Sequence, residues 1–266
     1  MNCVDSSEAL PTRATPTYIE PFSAPDEYMT GRKTNQISLM NKEFLMLQMS
    51  DSAFPVGTFS FSNGLETASH IGLVKDADTL EQYCRSVALQ AAFSDGVAAL
   101  IAYRAAKQKE LEEVIRIDNG LMLFKMNDEA RLMLQRMGKK LAELSVRLFP
   151  DNLIIGQWLE EIKKENTAGT YPVAQGLAFA AAGLTEKELF ASHQYGVVNM
   201  VCGAALRCVR VSHYDTQLIL QKLSGDVDRL YDEAKEMTFD DMNSFVPEID
   251  ILASMHEKGN MRMFMN

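Results

Sequence analysis

The sequence predicts an all-α fold, a single helical-bundle domain of about eight to ten helices. Three observations carry that expectation. Ala130, Leu134, Met137, Leu141, Leu144 and Leu148 recur at alternating steps of four and three residues, which lines one face of a helix with apolar side chains. Asp78-x-x-Glu81 and Thr185-x-x-Glu188 have the spacing of capping boxes, in which a side chain accepts from the free amides of a helix start. No segment sustains the period-two alternation of a strand, and no fixed-period repeat occurs.

Taken in order, residues 1–41 hold four of the eight prolines among Ser, Thr, Glu and Asp, too little apolar surface to offset chain entropy. A disordered leader is expected there, a helical domain over 42–246, and a C-terminal tail over 247–266. Phe44, Leu45 and Leu47 open a short amphipathic helix that breaks at Phe54-Pro55-Val56-Gly57. An aromatic and hydroxyl loop follows, Thr58-Phe59-Ser60-Phe61-Ser62, and helix resumes near Gly64-Leu65-Glu66. After the box at Asp78, Leu80, Cys84, Val87 and Ala91 share one face. Ser94-Asp95-Gly96 is expected to break the chain before an alanine-rich helix at 97–106. The charged run 107–113 reads as a solvated turn and helix start.

The heptad helix spans 127–148 and ends at Phe149-Pro150. Gly138 inside it costs about 1 kcal/mol relative to Ala, so either the packing tolerates it or a neighbouring backbone comes close. A helix follows at 153–165. Pro172 suits the first turn of the next, whose small side chains at 173–184 admit close neighbours. The box at Thr185 opens a long helix to residue 211. Leu220, Leu223, Val227, Leu230 and Ala234 form a last stripe, bent at Ser224-Gly225.

Composition excludes some functions. The 26 basic residues against 36 acidic ones give a net charge of −10, the wrong balance for binding nucleic acid or an anionic membrane. Cys3, Cys84, Cys202 and Cys208 form no C-x-x-C pair, which fits reduced thiols rather than a disulfide framework or zinc ribbon. Asp5, Glu8, Pro11 and Pro16 stand where a signal peptide would be basic and then apolar. No apolar run approaches the roughly 18–20 residues of a bilayer span. A cytoplasmic location is expected.

Enzyme signatures fail on spacing. Inward-facing E-x-x-H pairs and H-E-x-x-H are absent, since His256-Glu257 runs into Lys258-Gly259-Asn260. Asp240-Asp241 lacks the third aspartate of a prenyl-diphosphate motif, and neither G-x-x-x-x-G-K nor G-x-G-x-x-G occurs. No elbow motif marks a nucleophile. His193 reads as a core or surface histidine, while His213 and His70 read as helix-boundary residues. Among 16 methionines, Met255, Met261, Met263 and Met265 crowd the C-terminus beside Phe264. Such a tail suits an adaptable contact surface, packing on its own domain, or both.

Three blocks resemble the UreF family of urease accessory proteins. The first is Phe44 to Glu66, with Asp51-Ser52-x-Phe54-Pro55-x-Gly57 and Ser62-x-Gly64-Leu65-Glu66. The second holds Glu129-x-Arg131-Leu132, Met137-Gly138, Tyr171-Pro172-Val173-x-x-Gly176, Asn199-Met200-Val201, Arg207 and Asp215-Thr216-Gln217. The third runs from Pro247-Glu248-Ile249-Asp250-Ile251 through Met255-His256-Glu257 to Arg262-Met263-Phe264. Tyr171, Arg210 and Phe59 depart from the family pattern, which has histidine, proline and in some members tyrosine at those places.

The resemblance implies an all-helical homodimer that is not an enzyme. By this likeness the chain is a scaffold that binds UreD (also called UreH), recruits the GTPase UreG, and supports GTP-dependent nickel insertion into apo-urease. Nickel and GTP are then handled by the assembly, with no cofactor bound by this chain itself. Pro55, Gly57, Phe59, Ser62, Gly64, Glu66, His256, Glu257, Arg262 and Phe264 become the expected partner-binding residues, with Arg262 reaching loop carbonyls near Phe59. An effect on the GTPase rate of UreG stays open, because no arginine finger is marked. The alternative is an all-α enzyme with an unrecognised small-molecule site, for which nickel binding or turnover by the isolated chain would speak.

Overall fold

A computed structural model of the chain describes residues 41–51, 53–56, 61–244, 246–257 and 263–264. The expected leader lies, but for residue 41, outside the described residues. Among those described, every regular element is helical and none is a strand. In chain order they are α1 (Lys42–Ser50), α2 (Leu65–His70), α3 (Ala77–Gln108) and α4 (Leu111–Leu121). Then come α5 (Asp128–Leu148), α6 (Leu153–Lys163), α7 (Tyr171–Ala182) and α8 (Glu186–Cys208). The last three are α9 (His213–Ser224), α10 (Val227–Ala234) and α11 (Pro247–Glu257).

Local chemistry explains most boundaries. Asn127 caps α5 by accepting from Ala130 N–H at 2.7 Å, and Thr185 with Glu188 forms the expected box on α8. Ser212 and Asp215 make a further box on α9, which puts His213 at a helix start. On α3 the box lies two residues earlier than expected. Asp76 accepts from Thr79 N–H at 3.0 Å, and the Thr79 hydroxyl sits 3.1 Å from Asp76 N–H. Asp76 has the extended backbone that an N-cap requires.

Ser94-Asp95-Gly96 does not break the helix. Residues Ala92–Gly96 form a π-helical turn inside a continuous α3, a local widening that such helices absorb. The Ser94 hydroxyl donates to Gln90 C=O at 2.7 Å, and a Cβ on Gly96 would meet the Phe190 ring at 2.8 Å. This helix is long and apolar enough to cross a membrane, but 78% of its apolar window is buried inside the protein. The segment after residue 246, expected to be a non-helical tail, is helical through Glu257, with Pro247 at its first position.

Two apolar cores divide the work. The larger surrounds α7, which packs most extensively on the second half of α3 and on α5. Its small residues make that possible: a Cβ on Gly176 would lie 2.5 Å from Ala99 C=O. Met137 and Leu141 of the heptad face belong to this core. The buried Asp118 carboxylate fastens the loop entering α7, accepting from Thr167 and Thr170 hydroxyls at 2.6 Å and from Gly169 and Thr170 N–H at 2.7 and 2.8 Å. The smaller core joins α2, the first half of α3, α8, α9 and α11, with Phe264 in it. Cys84 and Cys202 lie there as unbonded thiols, their Sγ atoms 4.0 Å apart. It is this second core that carries the candidate site.

Candidate functional site

The site begins at a backbone requirement. Gly64 takes φ +80° ahead of α2, a conformation open to glycine at little strain. A Cβ there would lie 3.0 Å from the Tyr83 hydroxyl and 3.1 Å from Ala253 N and Ile249 O, so only glycine lets α11 approach. The Tyr83 hydroxyl donates to Asn63 C=O at 2.7 Å, and Leu65 N–H donates to the C=O of buried Ser62 at 3.1 Å. The turn thereby aims the next side chain, Glu66, inward.

Glu66 is 1% exposed and accepts hydrogen bonds from three C-terminal groups. Met263 N–H donates at 2.8 Å and Phe264 N–H at 3.3 Å. His256 Nε2 lies 2.8 Å from the same carboxylate. The other ring nitrogen, Nδ1, faces the Glu129 oxygens at 2.9 and 3.0 Å. Both ring nitrogens therefore face carboxyl groups, and the side chain is clasped between Glu66 and Glu129. Phe264 is buried in the same core as Leu65, Ile249 and Leu252, with the Arg207 guanidinium 5.2 Å from its ring centroid. Burying such a ring contributes about 1.5–3 kcal/mol, and the cation above it about 0.5–1 kcal/mol.

Burial by itself would push the Glu66 carboxyl up. The Met263 amide, the His256 side chain, the Phe264 amide and the imidazolium charge outweigh it and hold the group below its ordinary 4.5. A depressed carboxyl stabilises the fold above its unfolded value and ceases to do so as pH falls through the folded value. The C-terminal docking is therefore expected to be intact above pH 4.5 and to loosen progressively below it. Protection of the Met263 and Phe264 amides, followed by NMR during an acid titration, reads this out; protection unchanged to well below that range would refute it.

Of the residues marked by the sequence, the structure brings Ser62, Gly64, Glu66, His256 and Phe264 into one cluster. Pro55 stays on the surface between buried Phe54 and Val56. Gly57, Phe59, Arg262 and the Glu257 side chain lie outside the described residues, and with them the expected contact of Arg262 with the loop. His70, expected at a helix boundary, ends α2 and is exposed; the histidine that meets Glu66 is His256. Sequence reasoning missed the roles of Glu129, Arg207 and Tyr83. Glu129 and Arg207 sit within the family-like blocks, but nothing local marks what they touch.

This arrangement is a latch. Its charges are mutually paired, its ring is packed, and its groups are engaged with one another. Among the described residues no group of three or more His, Cys, Asp or Glu side chains is placed to hold a metal ion. Exposed apolar side chains adjoin it: Ile251 at 57% and Met255 at 47% on α11, and Met126 at 72% beside them in one shallow groove.

The model of the family described as UreF matches residues 74–224. The chain is 43% identical over 221 residues to the urease accessory protein UreF of Yersinia enterocolitica, covering 83% of this chain and 96% of that protein. The same figures hold for the urease accessory protein UreF of Yersinia pestis. Identity is 48% over 221 residues to urease accessory protein UreF 2 of Brucella canis, covering 83% of this chain and 90% of that one.

Proposed function

The chain belongs to the UreF family of urease accessory proteins, and from that premise we propose that it is the scaffold on which a nickel-delivering assembly forms. It is an accessory protein and not an enzyme. In this reading it works in the cytoplasm as a homodimer, binds UreD through its C-terminal segment 247–266, and with UreD recruits the GTPase UreG. Nickel is the cargo and apo-urease the recipient; the chain itself supplies binding surface and no chemistry.

What supports the reading is the latch at Glu66. It ties the first family-like block to the third across 190 residues of sequence, so that a surface made of both stands or falls as one unit. Around it Ile251, Met255, Met126 and Met263 leave flexible apolar area uncovered, the kind of surface a protein partner buries.

Co-purification of the tagged full chain with UreD and UreG tests this, beside one version ending at Glu257 and another ending at Glu248. The full chain is expected to recover both partners, and both truncations to lose UreD while keeping a helical circular dichroism spectrum. Recovery of neither partner by the full chain would overturn the scaffold reading. Recovery of UreD by both truncations would remove the C-terminal segment from the interface.

A further inference from the structure

A second feature lies under the latch and owes nothing to the accessory role. Between α3, α5, α7, α8 and α11 is a cavity of about 100 Å³, room for several water-sized groups. His193, 4% exposed, stands in its wall. Nδ1 of that ring lies 3.0 Å from the Gln175 amide oxygen, which can only accept, so Nδ1 carries the proton and Nε2 presents a lone pair. Burial holds the ring neutral, lowering its pKa to about 4. Among the described residues, Nε2 is buried with no hydrogen-bond partner, and so is Oδ1 of Asp95 in the same wall. Asp95 sits on the π-helical turn of α3, the irregularity that the sequence predicted as a chain break.

The charges are uneven. Lys125 Nζ engages the other Asp95 oxygen at 2.6 Å. Asp250, from α11, lines the cavity too, and among the described residues its oxygens accept from the neutral amides of Asn127 at 2.9 Å and Gln90 at 3.3 Å. Two carboxylates thus stand against one ammonium and a neutral imidazole. The two unmet atoms are both acceptors, and a buried acceptor without a donor is costly. A neutral water would supply donors and leave the charge uncompensated. For a metal ion, the described residues offer no group of three or more His, Cys, Asp or Glu side chains placed to hold it.

We propose that this cavity binds a small protonated amine, ammonium or a short alkylammonium, which donates to Asp95 Oδ1 and His193 Nε2. The apolar remainder of the wall, Met133, Met137 and Ile249 among it, accommodates a methyl or ethyl group. Because Asp250 and Ile249 belong to α11, the bound cation also braces the helix that carries His256.

The test uses the full chain and 15N-ammonium chloride, with sodium and potassium chloride as controls at equal ionic strength. A slowly exchanging bound ammonium signal is expected by proton–nitrogen NMR, together with a Tm raised by a few degrees over both controls. Methylammonium is expected to compete and tetramethylammonium, which has no N–H, to fail. Asp95→Asn is expected to weaken binding by roughly tenfold or more, as loss of a charged acceptor does. The wild-type comparison stands even if that variant folds poorly. Equal Tm in all three salts with no bound signal would show a cavity that holds water only and would overturn the proposal. Equal stabilisation by potassium would likewise overturn the N–H requirement.

Discussion

Glu66→Ala is expected to release the C-terminal segment and to destabilise the protein by about 3–5 kcal/mol, the range for removing one partner of a buried ion pair. The substitution takes from His256 the carboxylate that its Nε2 faces, and it strands the Met263 and Phe264 amides that donate to that carboxylate. Phe264 would then lose the anchor that holds its ring in the second core. Urea unfolding measures the loss, and limited proteolysis after α11 reports whether the end of the chain has come free. Glu66→Gln keeps the volume but presents an amide N–H₂ where an acceptor is needed, so an intermediate loss is expected. A Glu66→Ala protein within about 0.5 kcal/mol of wild type, the scatter of ordinary surface changes, would mean that the latch contributes nothing. In the co-purification assay the same variant is expected to behave like the version ending at Glu257.

Gly138→Ala is expected to destabilise by about 1–3 kcal/mol, where the same change at an open helix position brings a gain of roughly 1 kcal/mol. The sign is set by the loop entering α7. An added Cβ would fall 2.1 Å from Gly169 C=O and 2.4 Å from the Thr170 carbonyl carbon. Those atoms are backbone and cannot swing aside as a side chain tip would. Nor can the loop retreat, because Asp118 holds Thr167, Gly169 and Thr170 by four hydrogen bonds. Relief must come from parting α5 and α7 at the centre of the larger core. Thermal or urea unfolding decides the matter, and a neutral or stabilising result would mean that the close approach is not held in solution. The control is Gly156→Ala, where an added Cβ meets nothing within 4 Å and the ordinary gain is expected.

Much of this architecture was legible in the sequence, residue by residue. The heptad face of α5, the box at Thr185, Pro172 in a first turn and the bend after Ser224 all depend on neighbours within four positions. Gly138 was legible as an anomaly, a helix breaker kept inside a strong helix, and the structure supplies its reason. The two outer blocks, with Gly64, Glu66, His256 and Phe264, were marked by their resemblance to a family.

Three features were settled only by the tertiary structure. The turn at Ser94-Asp95-Gly96 reads as a break, but neighbours on both sides let α3 run on through a π turn. The end of the chain reads as an irregular tail, yet packing on α2 and α5 sustains α11. His256 was marked by the resemblance as a partner-binding residue, and only the fold sets Glu66 and Glu129 on either side of it, 190 and 127 residues away. The sequence by itself determined the helices, their caps and which segments are unusual, because those follow from interactions a few residues long. The partners of Glu66, the cavity beside His193 and the backbone against Gly138 were decided by the tertiary structure, because contacts between distant residues leave no periodic mark on the chain.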